Sequence, residues 1–464
     1  MTQRPWALLA ALFIALGAAL QETHAADAWQ AGVARVKITP ERPIVLQGYF
    51  GRVTPTNQKL HDLWAKALVL QDAEGHKLAL VTMDLAGIER KLSLAARNRI
   101  EKKYGIPLAN MALATSHTHT GPVVLDCAPA ADKHPPEQQA LIEEYAVTLA
   151  DNLVQVVGDA LANMRPAELS FGTGTCTFAV NRRNNPEAQV SELITANKLA
   201  GPVDHDAPVL KVANPDGTLR AIVFGYACHA TVLNDVILSG DWPGFTQIEL
   251  ESRQPEAVAL FWAGCGADQN PLPRRSVELA KKYGRQMADA VDAVLSKPMK
   301  SISPQLRTAY IEIDLPLADL PTRDALEREA AANDPAGLRA QRLLAAWDRD
   351  GRLMSTRPYP VQIWRLGTDL EWILLGGEVV VDYSLRLKQS STANTTWVAS
   401  YANDVLAYIP SRRVLLEGGY EGRESMVYFA LPGHWDVSVE ERIVNACDTL
   451  RQRFSTVKDA SATD

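Results

Sequence analysis

The feature that most limits what this chain can fold into is a short apolar run, residues 111–114, that leads directly into Ser-His-Thr-His-Thr-Gly-Pro at residues 116–122. A run of this length predicts a buried strand. Because side chains alternate between the two faces of a strand, His117 and His119 are predicted to point the same way, and the Gly-Pro pair ends the strand. Both imidazoles then reach one site. A hydrogen-bonded histidine pair at a strand end is the plain alternative.

Other apolar runs of strand length alternate with helical patterns. Residues 67–70 and 78–81 predict strands, residues 92–104 predict a helix, and residues 239–244 are interpreted as a short loop before a strand at 257–262. Buried strands followed by helices are typical of an α/β fold in which helices cover mixed sheets. We find no internal repeat and no linker, so residues 27–464 are predicted to form a single catalytic domain.

The composition of the chain excludes some classes of partner. Its 464 residues are 47% hydrophobic and carry a formal net charge of −7 without basic clusters, whereas nucleic acids and anionic membranes require a concentrated basic surface. A small-molecule substrate is therefore expected, with no nucleic-acid partner. The sequence does not indicate an oligomeric state.

The N-terminus has the pattern of a secretory signal peptide. Arg4 precedes an apolar run over residues 6–20, and small residues follow around Ala25. Residues 1–25 are therefore predicted to be removed near Ala25, which indicates a periplasmic or secreted protein. No later segment reaches the roughly 18 uncharged apolar residues of a membrane helix, so no transmembrane anchor is expected.

The five cysteines fit no zinc motif. They are an odd number in an oxidising compartment, so at most two disulfides can form. Each is interpreted as a small buried hydrophobic residue, and no pairing is predicted. They are Cys127, Cys176, Cys228, Cys265 and Cys447.

Two further potential metal ligands follow apolar strands. His229 comes after the predicted strand 219–226, and Glu378 comes after the strand 372–375. Two histidines with a carboxylate form a ligand set that zinc prefers, and an open fourth position makes such a site catalytic. The sequence leaves other roles open. Asp84 and Asp241 either orient a metal-bound imidazole or cap strand ends, and His61 and His205 are rival ligands.

A set of short motifs follows in a fixed order along residues 33–424. They are the His-x-His stretch at 116–122, Asn181-Arg182, the strand end at His229, Gly240-Asp241-x-Pro-Gly, Asp268-x-x-Pro271, Gly377-Glu378, and Tyr408 with Tyr420. In this order the motifs resemble those of neutral/alkaline, non-lysosomal ceramidases. This resemblance implies that His117, His229, Glu378 and Tyr408 bind Zn²⁺, and that His119, Arg182 and Tyr420 face the substrate amide.

The chain departs from this family pattern in two places. Alignment on Asp268 and Pro271 puts Asn270 at the position of the family's catalytic serine and Ala267 at that of a glycine. Asn270 cannot serve as that nucleophile, so either zinc-activated water attacks with Asn270 as a hydrogen-bond donor or substrate contact, or the reaction is not ceramide hydrolysis. The chain also stops at Asp464 after one helix, so no C-terminal immunoglobulin-like domain is expected.

The sequence therefore predicts an exported zinc-dependent amidohydrolase that cleaves the C–N bond of an N-acyl compound such as a sphingolipid. An esterase or a carbohydrate-directed hydrolase on the same scaffold is the first alternative. It is favoured by the missing serine and by the aromatic residues Tyr49, Phe50, Trp242 and Trp262 near the predicted loops. A non-catalytic zinc-containing binding protein is the second alternative.

Overall fold

Nine strands form the largest sheet of the computed structural model, which describes residues 28–125 and 127–460. The predicted signal peptide, residues 1–25, lies outside the described residues. Eight strands follow the order β4-β3-β2-β1-β5-β7-β8-β9, and β11 pairs with β5. They are β1 (Trp29–Lys37), β2 (Trp64–Gln71), β3 (Lys77–Met83), β4 (Met111–Thr115), β5 (Arg165–Thr175), β7 (Asp206–Ala213), β8 (Leu219–Tyr226), β9 (Val258–Ala263) and β11 (Lys300–Ile302).

A second sheet of five strands packs against the first, in the order β16-β14-β13-β12-β18. Two small ladders pair β6 with β10 and β15 with β17. The strands of the second sheet are β12 (Leu306–Ala318), β13 (Thr356–Leu366), β14 (Leu370–Leu375), β16 (Thr395–Ala399) and β18 (His434–Trp435). Those of the ladders are β6 (Ala179–Asn181), β10 (Gln269–Pro271), β15 (Glu378–Val379) and β17 (Tyr408–Ile409).

Tryptophan rings fill the space between the two sheets. Trp372 and Trp397 stack with ring centroids 4.0 Å apart, and Trp262 of the large sheet packs 5.0 Å from Trp372. These rings belong to one buried cluster with apolar residues from β1 to β4. Burying side chains of this size removes a large apolar area from water, so this layer joins the sheets.

Helices cover the two outer faces, which confirms the predicted α/β fold of mixed sheets with covering helices and gives it four layers. Helices α1 and α2 pack on β2 and β3, α4 and α5 pack on β8 and β9, and α8 and α11 cover the second sheet. The helices are α1 (Arg90–Tyr104), α2 (Pro136–Ala162), α3 (Val190–Thr195), α4 (Asp241–Arg253), α5 (Val277–Leu295), α6 (Arg323–Glu329), α7 (Pro335–Asp350), α8 (Val381–Ser390), α9 (Arg412–Glu417), α10 (Gly419–Gly422) and α11 (Val439–Ala460).

The carboxyl ends of several strands meet where the two sheets join. Ala114 of β4 bridges to Ala402, and Gly264, just after β9, bridges to Ala399 of β16. The adjacent pairs β3/β4, β8/β9 and β14/β16 are parallel, so the strands within each pair end at the same edge. Loops that follow these strands therefore share one rim, which is where ligands bind in open α/β sheets.

Two local predictions are wrong. Residues 239–244 do not form only a loop, because α4 begins at Asp241. The Pro and Gly of the first turn suggested a loop, but proline is tolerated there since its missing N–H has no helical partner. The second wrong prediction is that one strand carries both histidines. β4 (Met111–Thr115) ends before them, and His117 has a left-handed backbone with φ of 59°.

All five cysteines are buried and unpaired. Burial raises the pKa of the Cys127 thiol to about 12. These thiols remain protonated at neutral pH and behave as small apolar residues, as predicted.

We expect Asp404 to make stability fall as the pH rises. This carboxyl group is 1% exposed, and burial raises its pKa to about 7 although Arg357 opposes the shift. Because the folded state holds the proton more tightly than the unfolded chain (pKa about 3.9), stability decreases between about pH 4 and 7. Between pH 5 and 8 the free energy of unfolding should fall by about 2–3 kcal/mol more for the wild type than for Asp404→Asn.

Urea unfolding of both proteins at pH 5 and pH 8 measures this difference. Equal pH dependence of the two proteins would show that Asp404 does not titrate in this range.

Candidate metal centre

Two buried imidazoles present their Nε2 atoms to one point. Nδ1–H of His117 donates to the backbone carbonyl of Ala86 at 2.6 Å, and Nδ1–H of His229 donates to the carbonyl of Gly266 at 2.7 Å. A carbonyl oxygen can only accept a hydrogen bond, so Nδ1 carries a proton in both rings, and the neutral tautomer that this selects turns its Nε2 lone pair to the site. This is how metal-binding histidines are usually oriented.

A two-stranded ladder brings Glu378 and Tyr408 to the same point. β15 and β17 are parallel, and Glu378 lies directly opposite Tyr408 in their register. The Tyr408 hydroxyl oxygen is 3.2 Å from Nε2 of His229. The four residues that the resemblance implied as metal ligands therefore converge, although they come from four separate segments of the chain.

This group of residues fits a bound metal ion. Oε2 of Glu378 is buried without a hydrogen-bond partner among the described residues, yet it lies 3.0 Å from Nε2 of His117 and 3.4 Å from Nε2 of His229. Imidazole nitrogens and a carboxylate oxygen are the donors that zinc prefers. The ligand atoms of His117, His119 and His229 also lie within 4.8 Å of one another.

His119 lies beside this cluster and is fixed by the loop after residue 46. Its Nε2 is 3.1 Å from Nε2 of His117. Its ring and the Tyr49 ring pack in a T-shaped arrangement, with their centroids 5.0 Å apart. Nη1 of Arg52 donates to the backbone carbonyl of His119 at 2.5 Å. Gly48 has a φ of 109°, and a Cβ atom there would lie 2.4 Å from Cγ of His119. Only glycine leaves room for the ring.

The electrostatics of the site keep His119 and His229 neutral. Burial lowers the pKa of His229 to about 4, and the nearby Arg182 guanidinium adds to this effect. Burial also holds the pKa of His119 well below its usual range, with further lowering by His117 and His229. Burial alone would raise the pKa of Glu378, but the combined interactions with His117 and His229 outweigh it and hold this pKa well below the usual range. Neutral imidazoles beside an ionised carboxylate are the forms that bind a cation.

Arg182 reaches the site from the opposite side, and Glu421 holds it there. Nε of Arg182 donates to Glu421 at 2.6 Å, while its Nη1 and Nη2 donate to Oδ1 of Asn270 at 3.3 Å and to the Tyr408 hydroxyl at 3.2 Å. The ladder of β6 and β10 sets this geometry, because Val180 is opposite Asn270. Glu421 is 5% exposed and also binds Arg183.

A cleft of about 200 Å³ opens above the cluster. His117, His119, Glu378 and Tyr408 form its polar end. Tyr420 also lines the cleft and is 41% exposed. The other walls are mainly apolar and aromatic, and they include Tyr49, Phe50, Val123, Cys127, Val405, Tyr428 and Phe429.

The two acidic residues left open by the sequence do not orient imidazoles. Asp84 accepts hydrogen bonds from the backbone N–H of Trp64 and from Gln247. Asp241 accepts from the backbone N–H groups of Val232 and Leu233. Backbone carbonyls orient His117 and His229 instead, and both aspartates hold loops in place.

The two rival metal ligands, and two of the aromatic residues predicted near the loops, do not line the cleft. The His61 ring bonds to the backbone around Asp62 and Gly240, and His205 bonds to the carbonyl of Ala179. Trp242 and Trp262 are fully buried core residues. Large aromatic side chains beside a loop pack inward when a sheet lies beneath them, and the sequence does not reveal which face they take.

Sequence reasoning missed Glu421 and the carbonyls of Ala86 and Gly266. Glu421 lies next to Tyr420, in a stretch that the resemblance had singled out, so its position beside a site residue was the available signal. Backbone carbonyls carry no such signal, because every residue has one.

Together, the fold and the site define a four-layer α/β protein with a buried histidine–carboxylate cluster that can hold a metal ion. The family model described as neutral/alkaline non-lysosomal ceramidase, N-terminal, matches residues 29–309. The chain belongs to this ceramidase family.

Solved structures share the fold. The neutral ceramidase from Pseudomonas aeruginosa superimposes with a TM-score of 0.71 at 19% sequence identity, over 92% of this chain and 75% of that chain. A ceramidase complexed with C2 gives a TM-score of 0.70 at 19% identity, over 92% and 76% of the two chains. Within the described ranges, no helix has the length and apolarity needed to span a membrane.

We expect Gly48→Ala to displace the His119 ring. The new Cβ atom cannot coexist with the present ring position, so the ring must turn or the loop must move. Gly51→Ala is the matched control, because Gly51 also has a positive φ, of 79°, but a Cβ atom there meets nothing within 4 Å. Left-handed backbone costs each variant about 1–2 kcal/mol, and overpacking should cost Gly48→Ala a further 1–3 kcal/mol.

Nitrogen NMR of the histidine rings, together with urea unfolding, checks this expectation. The His119 signals should shift in Gly48→Ala only. Identical spectra and equal stabilities for the two variants would contradict the close contact.

Proposed function

We propose that this protein is an exported zinc-dependent hydrolase that cleaves the C–N amide bond of N-acyl compounds. The observation that carries the proposal is the convergence of two oriented imidazoles with the Glu378 carboxylate at the floor of an apolar cleft. Membership of the ceramidase family supports an N-acyl substrate. One solved relative is a ceramidase complexed with C2, and the apolar walls of this cleft suit an acyl chain.

His117, His229, Glu378 and Tyr408 would hold the Zn²⁺. When bound, Zn²⁺ supplies a Lewis acid that polarises a carbonyl and lowers the pKa of coordinated water to about 7. The remaining steps fall to the side chains of this chain. Hydrolysis adds the hydroxyl of one water to the acyl carbon and one proton to the departing nitrogen.

His119 is the proposed proton carrier. Its Nδ1 is buried without a partner among the described residues, and its neutral ring can accept a proton from the attacking water and deliver it to the amide nitrogen as the C–N bond breaks. The contacts with Gly48, Tyr49 and Arg52 keep the ring in place during this transfer. A fixed position is necessary because proton transfer requires hydrogen-bond distances.

Arg182, Tyr420 and Asn270 are the proposed donors to the oxyanion. The Asn270 Oδ1 atom already accepts from Nη1 of Arg182 at 3.3 Å and lies 3.4 Å from the Thr231 hydroxyl. The Asn270 amide N–H groups are therefore directed away from these two partners and can donate to a substrate. Since asparagine is not a nucleophile, attack falls to water.

We expect the ligand variants and the His119 variant to behave differently. His117→Ala and Glu378→Ala should lose both bound zinc and amide hydrolysis. His119→Ala should keep about one zinc per chain and lose turnover by about 10²–10⁴-fold, the usual contribution of a positioned acid–base group. Elemental analysis of zinc in the purified proteins and amide turnover assays measure both quantities.

The wild-type protein provides the reference. Zinc near zero in the wild type that added zinc does not raise would contradict the proposed function. Loss of zinc from His119→Ala would instead make His119 a ligand, in a site of three histidines.

We expect Asn270→Ala to weaken catalysis without abolishing it. Losing one oxyanion donor should cost about 2.7–4 kcal/mol of transition-state stabilisation, or about 10²–10³-fold in kcat. Asn270→Ser should not be required for activity. The wild type and both variants should be assayed on one panel of N-acyl amides, esters and glycans.

The panel also separates the competing functions. Turnover of N-acyl sphingoid substrates only in Asn270→Ser would refute attack by water in the wild type. Glycan or ester cleavage without amide cleavage would favour the esterase or carbohydrate-directed hydrolase. Ligand binding in calorimetry without any product would indicate a non-catalytic binding protein.

A further inference from the structure

Tyr401 packs directly on the His117 imidazole. The two ring centroids are 4.5 Å apart, and the ring planes are tilted by 33°. Tyr401 is 1% exposed, so this contact is completely removed from water. The ring thereby restricts rotation of an imidazole whose Nε2 faces the proposed metal position.

The hydroxyl of Tyr401 is buried without a hydrogen-bond partner among the described residues. Tyrosine hydroxyls are usually hydrogen-bonded when they are buried, because an unpaired one costs free energy. A buried donor without a partner, on a ring that packs against the His117 imidazole, therefore indicates a role in that site.

The backbone of Tyr401 is hydrogen-bonded to two of the chain segments that carry candidate metal ligands. Its N–H donates to the carbonyl of Gly377, next to Glu378, at 3.2 Å, and its carbonyl accepts from Thr115, two residues before His117, at 3.3 Å. Tyr401 also has a φ of 57°. A bulky residue in the left-handed region is strained, and such strain concentrates at functional sites.

We propose that Tyr401 is a positioning residue of the metal centre. Its ring sets the plane of the His117 imidazole, and its hydroxyl, which has no partner among the described residues, is left as a donor for the ligands of a bound metal. This inference rests on the zinc site of the proposed function. Groups that orient metal ligands in this way typically change metal affinity by 10–100-fold when they are removed.

The test compares Tyr401→Phe with the wild type in zinc affinity and in stability of the metal-free protein. Zinc affinity is measured by competition with a chromophoric chelator, and stability by thermal unfolding. Tyr401→Phe should bind Zn²⁺ at least 10-fold more weakly. Its metal-free form should be at least as stable as the wild type, because the variant removes a buried hydroxyl without a partner.

Tyr283→Phe is the matched control. Tyr283 is also buried, at 4% exposure, but its hydroxyl donates to the carbonyl of Pro273 at 2.6 Å. This control should lose stability and keep wild-type zinc affinity. Weaker metal binding together with undiminished stability is a combination that a purely structural tyrosine does not produce.

The visible absorption spectrum of the Co²⁺-substituted protein adds a direct view of ligand geometry. Its bands should change in Tyr401→Phe and stay unchanged in Tyr283→Phe. A Tyr401→Phe protein with wild-type zinc affinity and spectrum overturns this inference alone. A wild-type protein that binds no Zn²⁺ removes the proposed function, and this inference with it.

Discussion

The geometry of the candidate site depends on two hydrogen bonds, from Nδ1 of His117 and from Nδ1 of His229, to backbone carbonyls. Each bond selects one tautomer and turns the Nε2 lone pair inward. The acceptors, Ala86 and Gly266, lie in loops that leave the ends of β3 and β9. The site therefore exists only while the large sheet holds these loops against the histidine-bearing segments.

The junction of the two sheets explains why the site forms where it does. Glu378 and Tyr408 follow strands of the second sheet, whereas both histidines follow strands of the first. The bridges from Ala114 to Ala402 and from Gly264 to Ala399 bring these edges together. The tryptophan layer between the sheets supplies the apolar burial that keeps the edges aligned. Core packing and metal-site geometry are thus parts of one arrangement.

Backbone strain gathers around the same junction. His117, Asp241, Tyr401 and Asn403 all have positive φ values although none is glycine. Each left-handed residue is costly and persists only where the surrounding contacts over-determine it. Asn403, for example, accepts from the N–H of Leu113 and donates to Gln362. Stability from the packed sheets therefore supports a rim whose backbone geometry is unfavourable by itself.

Local patterns in the sequence were enough to predict the α/β class, most of the strands and helices, and the residues with the chemistry to bind a metal. These signals are local, because apolar periodicity marks elements and a polar residue at the end of an apolar strand marks a rim. His117, His229 and Glu378 could be selected in this way, and the family resemblance added Tyr408, Arg182 and Tyr420.

Contacts between distant parts of the chain establish which donors converge and what holds them. It assigned Asp84 and Asp241 to loop capping, moved Trp242 and Trp262 into the core, and placed Glu421 behind Arg182. These outcomes depend on contacts between residues far apart in the chain, and on backbone carbonyls that every residue possesses. A linear pattern contains no record of either, because distance in space is set by how the two sheets pack.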